Sequence, residues 1–328
     1  MLRTQWVRVL GTGSSVPEKV VTNFDLERMV DTSDEWITTR TGIKERRIAA
    51  PSEATSTFAL LASRKALESA HVDPDELHCI IVATVTPDML FPSTACILQE
   101  ALGAKNAFAF DLEAGCTGFV YALAVAEKYL LSEGKGKALV VGAETLSKIV
   151  DWQDRATCVL FGDGAGAAVL GLDERPGIIA TYLGADGGGA HLLELPAGGS
   201  RMPASLETVE KRLHYIKMNG NEVFKFAVRV VEEASRKVLA KAQKTIDDVS
   251  LFIPHQANIR IIQSAAKRLG IPEEKVFVNV DRYGNTSAAS IPIALDEALR
   301  EQRIREGDIV LLVGFGAGLT WGAALIEW

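Results

Sequence analysis

Three residues of different types could share one chemistry. Cys116 closes the stretch FAFDLEAGC, which reads as a strand over 107–112, a turn of small residues and an apolar helix opening at about Cys116. A thiol there faces unpaired N–H groups and the positive end of a helix, which lower its pKa and favour the nucleophilic thiolate. The commoner fate of a free cysteine is burial as a small apolar side chain, and Cys116 alone does not separate the two readings. His255, in IPHQAN, follows an apolar run that ends at Pro254, so it sits on a loop at a strand's C-terminal edge, where α/β proteins bind ligands. Asn285, in GNTSAAS, precedes another apolar helix. A thiolate can accept an acyl group as a thioester, while a neutral imidazole and an amide N–H can hold the oxygen of a developing enolate. Asparagine cannot exchange protons as a carboxylate does, so the set suits carbon–carbon bond formation better than hydrolysis, where a base must activate water. Gly314, Gly316 and Gly318 in VGFGAGLTWG let backbone approach a reacting centre, and the Ala317 N–H can join that of Cys116 in an oxyanion hole.

The elements that must position these residues occur twice. CIIVATV, TACILQEALG and NAFAFDL lead to Cys116; SLFIPHQAN, IRIIQSAAKRLG and KVFVNVDRYG lead to Asn285. KALVVGAE after the first helix then matches GDIVLLVGFG after the second. From Gly103 to Cys116 is 13 positions and from Gly270 to Asn285 is 15, which predicts equivalent turns for the two residues. Strand signals alternating with helix signals predict mainly parallel sheets covered by helices, in two duplicated halves, 1–172 with the cysteine and 173–328 with the histidine and asparagine. FGDGAGAAVLG lacks the Rossmann glycine spacing and runs on as a strand, and GTGSSVP lacks both a third glycine and a P-loop lysine, so neither predicts a nucleotide loop.

Composition narrows the function further. Of 328 residues 48% are hydrophobic and 23% charged, the profile of a globular chain with a large core. The net charge of -7 argues against a general nucleic-acid binder. The uncharged stretch 309–326 is long enough to raise a membrane question, but its glycines divide it into two buried strands, so no membrane partner is expected. MLRTQWVRVLGTG lacks the apolar core of a signal peptide. Cysteines 79, 96, 116 and 158 show neither CxxC spacing nor a histidine pattern for a metal, which fits a reducing cytoplasm. Trp36 and Arg40 lie one helical turn apart, suiting either an adenine nucleotide or an ordinary solvated turn. Lys225 and Arg229 in a helix read over 222–244, and Arg260 and Lys267 in the next, build either a basic patch or plain solvated faces.

Six ordered stretches, DTSDEWITTRTGI, the Cys116 turn, FGDGAGAAVL, PHQANIRII, GNTSAAS and GFGAGLTWG, make the whole chain resemble the β-ketoacyl-acyl-carrier-protein synthase III family. The resemblance implies a thiolase-like five-layer αβαβα fold and a homodimer that initiates type II fatty acid synthesis without a cofactor or metal. It implies that Cys116 takes the acyl group from acyl-CoA, and that His255 and Asn285 stabilise the enolate formed when malonyl-acyl-carrier protein loses CO2. It maps CoA contacts to Thr32, Trp36, Arg40, Arg155, Gly220 and Asn258, an acyl-pocket residue reaching across the dimer to Phe91, and carrier-protein docking to Lys225, Arg260 and Lys267. Ala317 stands where some members have glycine, and Glu113 is more polar than expected three residues before the nucleophile. GFGAGLTWG lacks the second cysteine of a degradative thiolase, and Asn285 departs from the Cys-His-His set of elongating synthases. A synthase-III-like enzyme of secondary metabolism, of polyketide or quinolone type, would keep every motif; a silent carrier-binding scaffold would not need all three residues.

Overall fold

The structure, a computed structural model, describes residues 5–328. Branched apolar runs form strands buried on both faces, and these take the middle of two sheets. The first sheet comprises β1 (Trp6–Ser15), β2 (Leu77–Ala83), β3 (Phe108–Leu112), β4 (Lys137–Thr145) and β5 (Asp163–Asp173) in the order β1-β5-β4-β2-β3. The second comprises β6 (Ile178–Ala185), β7 (Leu251–Pro254), β8 (Ile309–Gly316) and β9 (Thr320–Glu327) in the order β6-β9-β8-β7. The pairings repeat as well. β1 with β5 and β5 with β4 are antiparallel, as are β6 with β9 and β9 with β8, whereas β4 with β2 and β8 with β7 are parallel. The sheets are therefore mixed, not mainly parallel, because FGDGAGAAVLG and TWGAALIEW turn back as antiparallel strands through each centre. Stretch 309–326 is that hairpin, and among the described residues no helix is long and apolar enough to cross a membrane.

The strand expected over KVFVNV is reduced to one bridge, Val276 to Phe252. The Gln256 side chain takes the place of a ladder there. Its Nε2 donates to Pro254 O at 2.8 Å and Phe277 O at 3.1 Å, and its Oε1 accepts from Asn279 N at 3.0 Å.

After α1 (Asp34–Thr41), six longer helices cover the sheets. α2 (Thr55–Ala70) and α3 (Thr94–Leu102) pack on the outer face of the first sheet. α4 (Gly118–Glu133) lies between the sheets, and α5 (Gly220–Lys241) and α6 (Ile259–Leu269) cover the outer face of the second. α7 (Ser290–Arg300) joins α4 in the central layer, which completes the five-layer αβαβα thiolase-like fold. The helices expected from about Cys116 and over 222–244 thus run over 118–133 and 220–241. Close approach in the centre demands glycine at Gly142, where a Cβ would lie 2.1 Å from Ala288 O.

Each central helix is entered through a 3-10 turn, Gly115–Thr117 before α4 and Ser287–Ala289 before α7. The first residues of these turns, Gly115 at φ 54 and Ser287 at φ 49, share a left-handed backbone. Aligning them pairs Cys116 with Ala288 and Asn285 with Glu113, so the expected equivalence of Cys116 and Asn285 is corrected by three positions. The second half carries an extra helical turn, Val280–Tyr283, which shifts the count.

Candidate active site

The Cys116 turn is closed from above by the β8–β9 connection. A Cβ on Gly316 would sit 2.5 Å from Cys116 N, and one on Gly115 would sit 2.8 Å from Ala317 N. Both backbones therefore touch without side chains between them, with the Ala317 and Cys116 amides on adjoining loops. Thr320 Oγ1 fastens the two loops, lying 2.8 Å from Ala114 O and 2.9 Å from Ala317 O. Cys116 is left only 8% exposed. Burial, the leading cause, pushes its thiol up to about 12, and the Glu144 and Glu113 carboxyls add to the rise, opposed by the Ser287 hydroxyl. The lowered pKa expected at a helix start is corrected: enclosure outweighs the helix end, and the resting group is a thiol.

His255 leaves the end of β7 with its N–H donating to Val313 O at 2.8 Å, and its ring meets Phe315 edge-on at 5.2 Å between centroids. Nδ1 is 2.6 Å from Ser290 Oγ, which also accepts from Gln256 N at 3.3 Å. With a lone pair of Ser290 used, its hydroxyl hydrogen can go to Nδ1, which puts the ring proton on Nε2. Burial pulls the His255 pKa down to about 3, so the imidazole is neutral at ordinary pH.

Asn285 is held by its backbone, with N donating to Leu160 O at 2.8 Å and O accepting from Gly162 N at 3.0 Å. Its Oδ1 accepts from Ser287 N at 2.8 Å. The Nδ2 donor is the end left over. A neutral imidazole and an amide donor beside a thiol can hold an enolate oxygen next to a thioester.

Cys116, His255 and Asn285 line one cavity of about 520 Å³ with Trp36, Arg40, Gly220, Asn258, Lys225 and Arg260. Arg155, outside the cavity lining, has its Cζ 5.2 Å from the Trp36 ring centroid, which Arg40 also approaches at 5.7 Å, and it donates to Asp31 O at 2.8 Å. Thr32 Oγ1 is buried without a partner among the described residues. Asn258 also caps α6, accepting from Arg260 N at 2.8 Å, while its Nδ2 donates to Arg40 O at 3.1 Å. Lys225 pairs with Glu222 at 2.8 Å and Arg260 lies over Phe224, whereas Lys267 is on the exposed face of α6 outside the cavity lining.

A second cavity of about 820 Å³ meets the first at Cys116, Phe161 and Leu193, and Val85, Leu90, Phe110, Leu146 and Ile149 make it largely apolar. Phe91 does not line it within its own chain; the side chain is 84% exposed, beside a cis Phe91-Pro92 bond. Among the described residues no group of three or more histidine, cysteine or acidic side chains could hold a metal. Sequence reasoning missed Ser290, Ser287 and Glu144, although the two serines stand in GNTSAAS and the glutamate in KALVVGAE.

Two family models match the chain, 3-oxoacyl-[acyl-carrier-protein (ACP)] synthase III over residues 110–194 and the C-terminal model of the same name over 239–328. The chain is 62% identical over 321 residues to the beta-ketoacyl-[acyl-carrier-protein] synthase III of Caldanaerobacter subterraneus subsp. tengcongensis, covering 98% of this chain and 97% of that one. It superposes on the crystal structure of 3-oxoacyl-[acyl-carrier-protein] synthase III from Aquifex aeolicus with TM-score 0.91 at 52% identity, covering 98% and 100% of the two chains. The synthase III structure from Thermus thermophilus matches with TM-score 0.91 at 54% identity, covering 98% and 99%. The chain therefore belongs to the β-ketoacyl-[acyl-carrier-protein] synthase III family of condensing acyltransferases.

Proposed function

We propose that this chain starts type II fatty acid synthesis by a two-stage exchange at Cys116. An acyl-CoA acylates Cys116 Sγ and CoA departs; malonyl-acyl-carrier protein then enters the same cavity and loses CO2, and the resulting enolate attacks the thioester to give a β-ketoacyl-carrier protein. His255 Nε2–H and Asn285 Nδ2–H hold the enolate oxygen, and the amides of Cys116 and Ala317 hold the thioester oxygen. The convergence of Cys116, His255 and Asn285 on one cavity carries this reading.

Adenine stacks between Trp36 and Arg155, with Thr32 and Arg40 at its edges and Gly220 and Asn258 along the pantetheine arm. Lys225, Arg260 and Lys267 receive the acidic carrier protein. The reaction as written uses no cofactor. The halves divide at 172/173, at the end of β5 just before the turn to β6, and the working unit is a homodimer in which Phe91 closes the partner's acyl cavity. The exposed Leu90 and Phe91, at 80% and 84%, and Phe108 at 45% on β3, the strand at the end of the first sheet, favour a second copy as their cover. The chain acts in the cytoplasm, with no nucleic acid or membrane as partner.

The test is incubation with a panel of acyl-CoAs followed by mass analysis of the Cys116 peptide, then addition of malonyl-carrier protein. An acyl group on that peptide that is consumed in the second step is the expected result; no acylation by any short-chain donor would remove the proposal.

A further inference from the structure

The largest fully buried side chain among the described residues carries a charge. Arg46 stands in the short strand Glu45–Arg47, which pairs antiparallel with Val20–Thr22, and it is 0% exposed. Its Nη1 donates to Asn23 Oδ1 at 2.9 Å and Val21 O at 3.1 Å, and its Nη2 to Val159 O at 2.8 Å. All three acceptors are neutral oxygens. Burial pulls the guanidinium down to about 10, which still leaves it charged at neutral pH. Taking a cation out of water has a cost that an apolar side chain would avoid, so the reason for its presence lies in what its donors hold.

The acceptors belong to segments that carry the site. Asn23, itself 0% exposed, hands the grip on: its Nδ2 lies 2.9 Å from Asp34 Oδ1, 2.8 Å from Ile43 O and 3.2 Å from Thr38 Oγ1. Asp34 and Thr38 are on α1, the helix that bears Trp36 and Arg40. Val159 closes the short helix Arg155–Cys158, and the residues just after it seat Asn285, whose N–H goes to Leu160 O and whose O accepts from Gly162 N.

The stem of Arg46 meets that seat as well. A Cβ on Gly162 would lie 3.3 Å from Arg46 Cβ, and one on Gly284, the residue before Asn285, would lie 3.4 Å from it. Two positions before Arg46, Lys44 N donates to Asp281 O at 3.0 Å, on the helical turn Val280–Tyr283 that runs into Asn285. The Cys116 turn is fastened separately, through Thr320.

We propose that Arg46 is a positioning residue that holds the Trp36–Arg40 face of the CoA site and the Asn285 amide in one frame. It acts through Asn23 and α1 on one side and through Val159 to Gly162 on the other. The planar guanidinium suits this task because it aims two nitrogens in fixed, different directions, where lysine offers a single one.

The inference rests on the roles proposed above for Cys116, Asn285 and the CoA site, and the experiment separates them. Full-length wild type, Arg46→Met, Arg46→Lys and Asn23→Asp are compared by calorimetric affinity for CoA, by the maximal rate of Cys116 acylation from acetyl-CoA, and by the condensation rate of the acylated enzyme at saturating malonyl-carrier protein. Arg46→Met should bind CoA at least about fivefold more weakly and condense at least about tenfold more slowly, while maximal acylation stays within about threefold of wild type. Arg46→Lys should fall between the two. Asn23→Asp keeps the oxygen that Arg46 uses and loses the donor to α1, so CoA affinity should fall while condensation changes by less than about threefold.

Wild-type CoA affinity or wild-type condensation in Arg46→Met overturns the shared frame. Equal losses in all three measurements, which a merely weakened fold would give, overturn it too. If Arg46→Met does not fold, Arg46→Lys is judged by the same criteria. A wild type that binds no CoA or takes no acyl group overturns the function proposed above and this inference with it, whereas an active wild type beside unaltered variants overturns this inference alone.

Discussion

Glu113 and Asn285 are the same residue of one turn used twice: each side-chain oxygen accepts from the amide two positions ahead, Gly115 N at 3.0 Å and Ser287 N at 2.8 Å. A carboxylate makes that contact and has no donor to offer. The amide makes it and keeps Nδ2, which is why asparagine can serve an enolate.

Asn285→Asp should therefore preserve the turn and lose the donor. Condensation from malonyl-carrier protein should fall by about 100-fold or more while acylation of Cys116 changes little. Stopped assays of the two half-reactions, with melting curves as a control for folding, distinguish this from a collapsed turn, in which both halves fail.

His255 should make the fold acid-sensitive in a defined window. Its folded pKa is about 3 against an ordinary 6.5, so below about 6.5 the unfolded chain takes up a proton that the folded chain refuses. Its contribution is complete above 6.5 and declines as pH falls toward 3. Glu144 acts with the opposite sign, keeping its proton to about 7 when folded against an ordinary 4.5, so its stabilising share declines as pH rises across that interval. The comparison must accordingly be made by difference. Between pH 7 and 5, Tm should drop less in His255→Gln than in wild type; an equal drop would show that His255 is not buried neutral.

Gly162→Ala tests the seat of Asn285 from beneath. A Cβ there would meet Tyr283 O at 2.2 Å, on the segment that leads into Asn285. The substitution should cost about 2–4 kcal/mol and lower Tm by several degrees, with condensation falling further than acylation. Thermal melts beside both half-reaction rates provide the check.

Charge reversal at Arg260 or Lys225 should raise KM for malonyl-carrier protein more than KM for acyl-CoA. Both residues are exposed and line the mouth of the shared cavity, so the effect should weaken as salt screens it. Equal changes in the two KM values, independent of salt, would point to altered folding instead.

Much of the site was legible because its chemistry lies in residue types. Cys116, His255 and Asn285 stood out with their loops, and FGDGAGAAVLG runs on as a strand, β5, as its pattern predicts. The phase of the repeat was not legible. It depends on Gly115 and Ser287 sharing a left-handed backbone, and nothing in their side chains advertises this. The state of the Cys116 thiol was hidden for a related reason: the helix start lies nearby in sequence, but the loop 315–317 that shuts out water comes from the other end of the chain. Ser290 looks like an ordinary small residue of α7 until His255 is seen 2.6 Å from its hydroxyl.

With Cys116 as the proposed acyl acceptor, the two cavities that join at Cys116, Phe161 and Leu193 make its sulfur a turnstile. The acyl chain can wait in the apolar chamber, while CoA and the malonyl carrier must take turns in the other. Initial velocities should then give parallel double-reciprocal lines, and free CoA should compete with malonyl-carrier protein for the acylated enzyme.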